Sequence, residues 1–232
     1  SQVLAGDAWL YKCDGKPVGN CPSPQWPDHD FSSPPLMQTM ADGKDILVSG
    51  SKSGMVWAFD PANKGKILWS ATVGKGSSAD PIWGSAADKE KVYVGTPSNS
   101  LTEGKEGGFS GIDLKTGKIV WHTESPAQPC GWGPGGCRHT QQAAVTLIPG
   151  VAFSGSTDGH LRAYDTATGK ILWDFDDVQT WDAVNGVKAF GGNLDGSPQI
   201  VANGTLFLNA GNSALSSPRH GDAVLAITVD GK

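Results

Sequence analysis

The stretch Leu161–Trp173, LRAYDTATGKILW, decides the fold. It reads as an alternating strand, an Asp-x-x-Thr-Gly turn and a second strand carrying a tryptophan four residues after the glycine, which together make a β-hairpin with a large aromatic on its outer member. Related stretches lie upstream: VWAFDPANKGKILW ends at Trp69 and FSGIDLKTGKIVW at Trp121, so the tryptophan recurs every 52 residues. A weaker copy, AVLAITVDGK, reaches Gly231 and Lys232 without a tryptophan. Further short strands fill each unit: PLMQTM, DILVSGS and GMVWAFD in the first, KVYVGT in the second, AAVTLI and VAFSGS in the third, PQIVAN and TLFLNAG in the fourth. Turns such as Asp42-Gly43, Asp158-Gly159 and Asn203-Gly204 join them. About four antiparallel strands, repeated at roughly 40 to 55 residues, are the pattern of β-propeller blades. Blades are expected over roughly residues 30–75, 76–126, 140–178 and 195–232, the last incomplete, within one repeat domain covering 1–232. A solenoid or a sandwich is the rival architecture, and neither accounts for a glycine and a tryptophan at fixed offset in each of the three full units.

That offset carries a physical meaning. Gly65, Gly117 and Gly169 have no side chain, so an indole from a neighbouring blade, that of Trp69, Trp121 or Trp173, can lie flat on the exposed peptide and bury roughly 150 to 250 Å². Asp60, Asp113 and Asp165 recur at the same turn, which marks them as acceptors for backbone amides rather than as catalytic acids.

Composition agrees with an all-β protein: 232 residues, 38% hydrophobic, hold 32 Gly, 15 Pro and 9 Trp, many turn formers and large aromatics. A net charge of -5 without a Lys/Arg cluster excludes a nucleic-acid or anionic-membrane surface. No segment approaches the roughly 18 apolar residues of a membrane span, and the opening SQVLAGDAW is expected to be either a processed end or a cut inside a larger protein. Four cysteines form two local pairs, Cys13 with Cys21 and Cys130 with Cys137, each in a Gly/Pro-rich segment, and read as two disulfides formed in a periplasmic or extracellular compartment. Zinc is the rival, but no C-x-x-C is present, and no C-x-x-C-H attaches a c-type haem.

The repeated A-x-D-x-x-T-G-x-x-x-W pattern resembles the tryptophan-docking motif of quinoprotein dehydrogenases, eight-bladed propellers that carry pyrroloquinoline quinone (PQQ). The segments WPDHDFSSPPL, GKDILVSGSKSGMVWAFDP, IWGSAADKEKVYVG and IPGVAFSGSTDGHLRAYD resemble polyvinyl alcohol dehydrogenase-like members most, and the resemblance runs along nearly the whole chain. It implies that this chain is about half of such a ring, its C-terminal half, with the remaining half supplied by the same protein or by a second chain. It implies PQQ and calcium as cofactors, a secondary alcohol or polymer as substrate, and an electron acceptor of the cytochrome c type. Lys52 matches the family's cation that hydrogen-bonds the quinone oxygens. Trp9, Trp83 and Trp132, the last in the loop CGWGPGGC, are the aromatic candidates for the cofactor side. In GDAWL the family's proton-accepting aspartate is replaced by Leu10, which leaves Asp7, or an acid in the other half, as the expected base. Ile82 stands where many members hold a cofactor-contacting amide, and the family's calcium ligands, a Glu and an Asn, belong to blades outside this chain. Two functions follow: a PQQ-dependent alcohol dehydrogenase, or a propeller that keeps the scaffold as a binding or assembly module, a reading Leu10 and Ile82 favour.

Overall fold

A computed structural model describes residues 3–4, 9–10, 13, 21–22, 27–76, 81, 83–98, 106–126, 139–211 and 220–229. These residues hold strands, turns and one short 3-10 turn, Pro61–Asn63, and no α-helix. The first sheet contains β1 (Leu36–Thr39), β2 (Asp45–Ser51), β3 (Met55–Asp60) and β4 (Lys66–Thr72) in that order. The second repeats this with β5 (Ala86–Ala87), β6 (Lys91–Ser98), β7 (Glu106–Asp113) and β8 (Ile119–Glu124). The third has β9 (Thr146–Ile148), β10 (Val151–Gly155), β11 (His160–Asp165) and β12 (Ile171–Asp176). A hairpin, β13 (Thr180–Asp182) with β14 (Lys188–Phe190), precedes a three-stranded sheet of β15 (Ile200–Ala202), β16 (Thr205–Asn209) and β17 (Val224–Thr228).

All pairings are antiparallel, and the first strands of the sheets touch in the sequence β1, β5, β9, β15. The sheets therefore stand around a common inner edge and pack face against face, as propeller blades do. Strand alternation explains how one sheet serves two interfaces. On β6, Val92 and Val94 join Ile46, Val48, Val56 and Ala58 of the first sheet, whereas Tyr93 joins Ala152 and Tyr164 of the third. Leu161 then meets Leu194, Leu206 and Leu208 in the next interface. Each such aliphatic side chain, once fully buried, contributes about 1.5 to 3 kcal/mol.

The docking residues show why the 52-residue motif has its composition. Ala58, Gly111 and Ala163 pair across the third and fourth strands with Trp69, Trp121 and Trp173, and a bulge follows at each place. A small residue is needed there because the indole lies over it: a Cβ on Gly111 would stand 2.4 Å from Trp121 Cε2. The indoles then reach the following blade. Trp69 covers Gly117 and donates its N–H to the Leu114 carbonyl at 2.8 Å; Trp121 covers Gly169 and donates to the Thr166 carbonyl at 3.1 Å. Both glycines have positive φ, +73° and +74°, and a Cβ there would come within 2.7 and 2.5 Å of the rings. Gly65 holds the same kind of turn, its N–H on the Asp60 carbonyl, one residue longer and with Lys64 also left-handed. Trp173 stacks on Phe175 at 5.3 Å and packs in the third interface; Gly231, the glycine of the weaker copy, lies outside the described residues.

The turn aspartates are scaffold. Asp113 accepts from Thr116 N–H and hydroxyl at 2.8 and 2.6 Å, and Asp165 accepts from Ala167 N–H, Thr168 N–H and the Thr168 hydroxyl. These bonds hold both carboxyls below the ordinary aspartate value, led by the threonine side chain in each case.

Candidate functional site

In an up-and-down blade the turns between first and second and between third and fourth strands lie at one end, where the Asp-Thr-Gly turns sit. The opposite end collects the turns between second and third strands and the connections between sheets. Lys52 is there, in the turn Ser51-Lys52-Ser53-Gly54. The segment before β1 runs beside this turn: Lys52 N–H donates to the Asp30 carbonyl at 3.1 Å, and the Ser49 hydroxyl donates to the Ser33 carbonyl at 3.1 Å. Two carboxylates are thereby delivered to one ammonium. Lys52 Nζ lies 2.9 Å from Asp28 Oδ2 and 2.8 Å from Asp30 Oδ1.

The environment differs between the two acids. The Lys52 side chain is 17% exposed and that of Asp28 20%, while Asp30 is 61% exposed. Burial opposes charge on Lys52, but hydrogen bonds to Asp30 and Asp28 outweigh it and hold the ammonium above its ordinary value. Burial likewise opposes charge on Asp30, and the hydrogen bonds of Lys52 and Asp28 reverse the balance, placing its carboxyl below the usual range. The site thus presents a fixed cation next to an ionised, solvent-facing carboxylate.

Asp28 and Asp30 were not among the residues expected from the motif, which pointed to Asp7. A D-x-D pair just before the innermost strand, in WPDHDF, was the available signal. Asp7 lies outside the described residues, as do Ile82, Trp132, Cys130 and Cys137. Trp9 and Leu10 are exposed, and Cys13 is disulfide-bonded to Cys21.

Trp83 stands at the start of the second blade, on the same end as Lys52. Its segment is seated against the Lys52 strand: a Cβ on Gly50 would be 2.5 Å from Pro81 Cγ. The indole N–H donates to Asp195 Oδ1 at 2.9 Å, and Gln142 Nε2 donates to the same oxygen. Nearby on this end, Gln141, Asn193 and Gln199 are buried, and their side-chain amide atoms have no hydrogen-bond partner among the described residues. Buried amides without partners are uncommon and signal a site with polar content still to be supplied.

A charged network braces the corresponding hairpin of the third blade. Arg162, fully buried, donates to Asp158 Oδ2 at 2.9 Å and to Asp174 Oδ2 at 3.1 Å. His139 Nδ1 lies 3.3 Å from Asp158 Oδ2 and His160 Nδ1 lies 2.6 Å from Asp174 Oδ1. Asp177, also buried, accepts from Gly192 N–H at 3.1 Å and Trp181 Nε1 at 3.3 Å, and burial pushes its carboxyl up to about 6.

Fold and docking geometry together define a propeller of tryptophan-docked, four-stranded blades. The chain belongs to the PQQ-like repeat family whose model is described as outer membrane protein assembly factor BamB, matched over residues 27–147 and 52–231. It is 39% identical over 247 residues to a polyvinylalcohol dehydrogenase of Sphingopyxis sp. (strain 113P3), covering 100% of this chain and 38% of that protein. A polyvinylalcohol dehydrogenase of Pseudomonas sp. is 35% identical over 241 residues, covering 100% of this chain and 37% of that protein. The chain therefore spans under two fifths of the length of these relatives. Among solved structures, quinohemoprotein alcohol dehydrogenase ADHIIG from Pseudomonas putida HK5 superimposes with a TM-score of 0.57 at 20% identity, over 89% of this chain and 34% of that one, a likeness of fold. No helix among the described residues is long and apolar enough to cross a membrane.

Proposed function

We propose that this chain is the Lys52-bearing part of a PQQ-dependent dehydrogenase that oxidises secondary alcohol groups, such as those of polyvinyl alcohol. The observation that carries the reading is the Lys52–Asp28–Asp30 cluster at the loop end of the blades. It fits an ortho-quinone: Lys52 would donate a hydrogen bond to a quinone oxygen and would favour negative charge on it. PQQ, when bound, supplies the electrophilic carbonyl that takes a hydride from the alcohol carbon. Asp30, ionised and 61% exposed, accepts the hydroxyl proton as that hydride leaves, and the alcohol becomes a ketone. Asp28, largely covered, holds Lys52 in place. Asp7 is the other carboxylate offered by the sequence for the base.

Calcium would draw its ligands, a Glu and an Asn in the family that the sequence resembles, from blades outside this chain. The remaining half of an eight-bladed ring would complete the site, and a cytochrome c-type protein would take the electrons. The Cys13–Cys21 disulfide supports a periplasmic or secreted location.

The test is a titration of the ring-closed protein with PQQ and Ca2+, followed by quinone absorbance and dye reduction with a secondary alcohol. Lys52→Ala is expected to lower kcat by roughly 100-fold or more, and Asp30→Asn by a comparable factor with PQQ binding retained. Loss of activity in Asp7→Asn but not Asp30→Asn would move the base to Asp7. A closed ring that binds no PQQ would leave the second reading, a non-catalytic assembly module, which the description of the matched family model favours.

A further inference from the structure

We infer that Asp195 is a positioning residue that sets the plane of the Trp83 indole, so that this tryptophan serves as a fixed aromatic plate at the cofactor end; the inference rests on the PQQ reading only for what the plate receives. Trp83 and Asp195 are 112 residues apart and belong to different blades. Trp83 precedes β5 and Asp195 precedes β15, so the hydrogen bond between them passes the segment that leads into β9. That segment ties the three together: Val145 N–H donates to the Gly84 carbonyl and Ala144 N–H to the Gly196 carbonyl, both at 3.2 Å. Gln142 from the same segment donates to the oxygen that Trp83 uses. The acceptor is a buried carboxylate whose Oδ1 has two donors from two blades, which fixes its own rotamer.

The indole is held on a second side as well. Gly196 has φ +93°, and a Cβ there would meet Trp83 Cε2 at 3.4 Å and Cδ2 at 3.5 Å, so one part of the ring rests on bare backbone. An N–H bond in the ring plane and a glycine floor together remove rotation about both side-chain torsions. Trp83 as a residue nevertheless stays 38% exposed. A large aromatic surface left open while its polar edge is pinned is suited to stacking a flat heteroaromatic ligand. A tryptophan used only for packing has no need of a buried acid two blades away.

The experiment follows the Trp83 indole N–H resonance, assigned by its absence in Trp83→Phe, in the ring-closed protein with and without PQQ and Ca2+. Asp195→Ala is expected to shift that resonance in the cofactor-free protein and to speed its hydrogen exchange at least about tenfold, the loss of one hydrogen bond to a charged group. Asp195→Asn keeps an acceptor oxygen and is expected to restore the resonance. With cofactor, Asp195→Ala should weaken PQQ binding roughly tenfold and change kcat less, and should add nothing in a Trp83→Phe background. If the alanine variant does not fold, Asp195→Glu, which displaces the oxygen by one methylene, is read the same way. An unchanged indole resonance in Asp195→Ala, or an asparagine variant as perturbed as the alanine one, overturns the proposal. If no PQQ binds to the wild-type protein but Asp195→Ala still frees the indole, the positioning role stands and the cofactor reading falls.

Discussion

Gly117→Ala tests whether blade-to-blade docking, rather than turn conformation, dictates the glycine of the repeat. Alanine at φ +73° is strained by about 1 kcal/mol. Its Cβ would also stand 2.7 to 2.8 Å from Trp69 Cδ2, Cε3 and Cγ, over the face of the ring. Ordinary contact needs roughly 3.5 to 4.0 Å, so the indole must retreat by close to an ångström. It is not free to do so, because its N–H is bound at 2.8 Å to the Leu114 carbonyl three residues before the glycine. Overpacking of this kind costs roughly 1 to 3 kcal/mol, which gives a total near 3 kcal/mol. Gly150→Ala is the internal control: φ is +83° and a Cβ would meet nothing within 4 Å, so only the conformational strain of about 1 kcal/mol remains. Urea unfolding of both variants, and of each in a Trp69→Ala background, isolates the contact as a coupling of about 2 kcal/mol between positions 69 and 117. Gly150→Ala should show no coupling to Trp69. A Gly117 variant that loses no more stability than the Gly150 variant, or whose loss persists undiminished without the indole, refutes docking as the reason for the glycine.

Replacement of Arg162 by Met removes the guanidinium that Asp158 and Asp174 share, and because Asp158 is fully buried the loss should be about 3 to 5 kcal/mol in chemical unfolding, largely recovered by adding Asp158→Asn. A loss below about 1 kcal/mol would contradict that role. Burial pushes the Asp177 carboxyl up to about 6, above the ordinary aspartate range, so the neutral form is the one folding favours. Its stabilisation is complete below the unfolded value and disappears as pH rises through 6, an effect on the order of 2 kcal/mol. Asp177→Asn should therefore gain stability relative to wild type as pH is raised from 4 to 7, read by unfolding at each pH. A difference independent of pH excludes Asp177 as the titrating group.

The repeat was readable because docking imposes a local pattern: small residue, acid, glycine and Trp all fall within one hairpin, and the first three blades share them. Asp60, Asp113 and Asp165 could be set aside as scaffold on recurrence alone, and their hydrogen bonds to turn amides agree. The site was only partly readable. Lys52 was legible as a candidate because its turn matches a family segment, but its partners Asp28 and Asp30 reach it through a loop that leads into β1, where no periodicity constrains the sequence. Asp195 was out of reach, since nothing local links it to a tryptophan 112 residues earlier.

The difference has a physical origin in the two ends of a blade. At the Asp-Thr-Gly end the chain solves one problem, that of receiving the neighbour's indole, and solves it alike each time. At the other end the first and third blades place similar frames, SGSKSGMVWAFD and SGSTDGHLRAYD, in corresponding hairpins. Within that frame Lys52 corresponds to Thr157, Ser53 to Asp158 and Trp57 to Arg162. The backbone is repeated while the side chains are not: one hairpin offers a cation held by two acids, the other turns its charges inward on a buried arginine. Chemistry in a repeat protein is thus carried by the positions that depart from the repeat. Lys52, Gln142 and Asp195 all lie at the loop end, where segments of several blades meet.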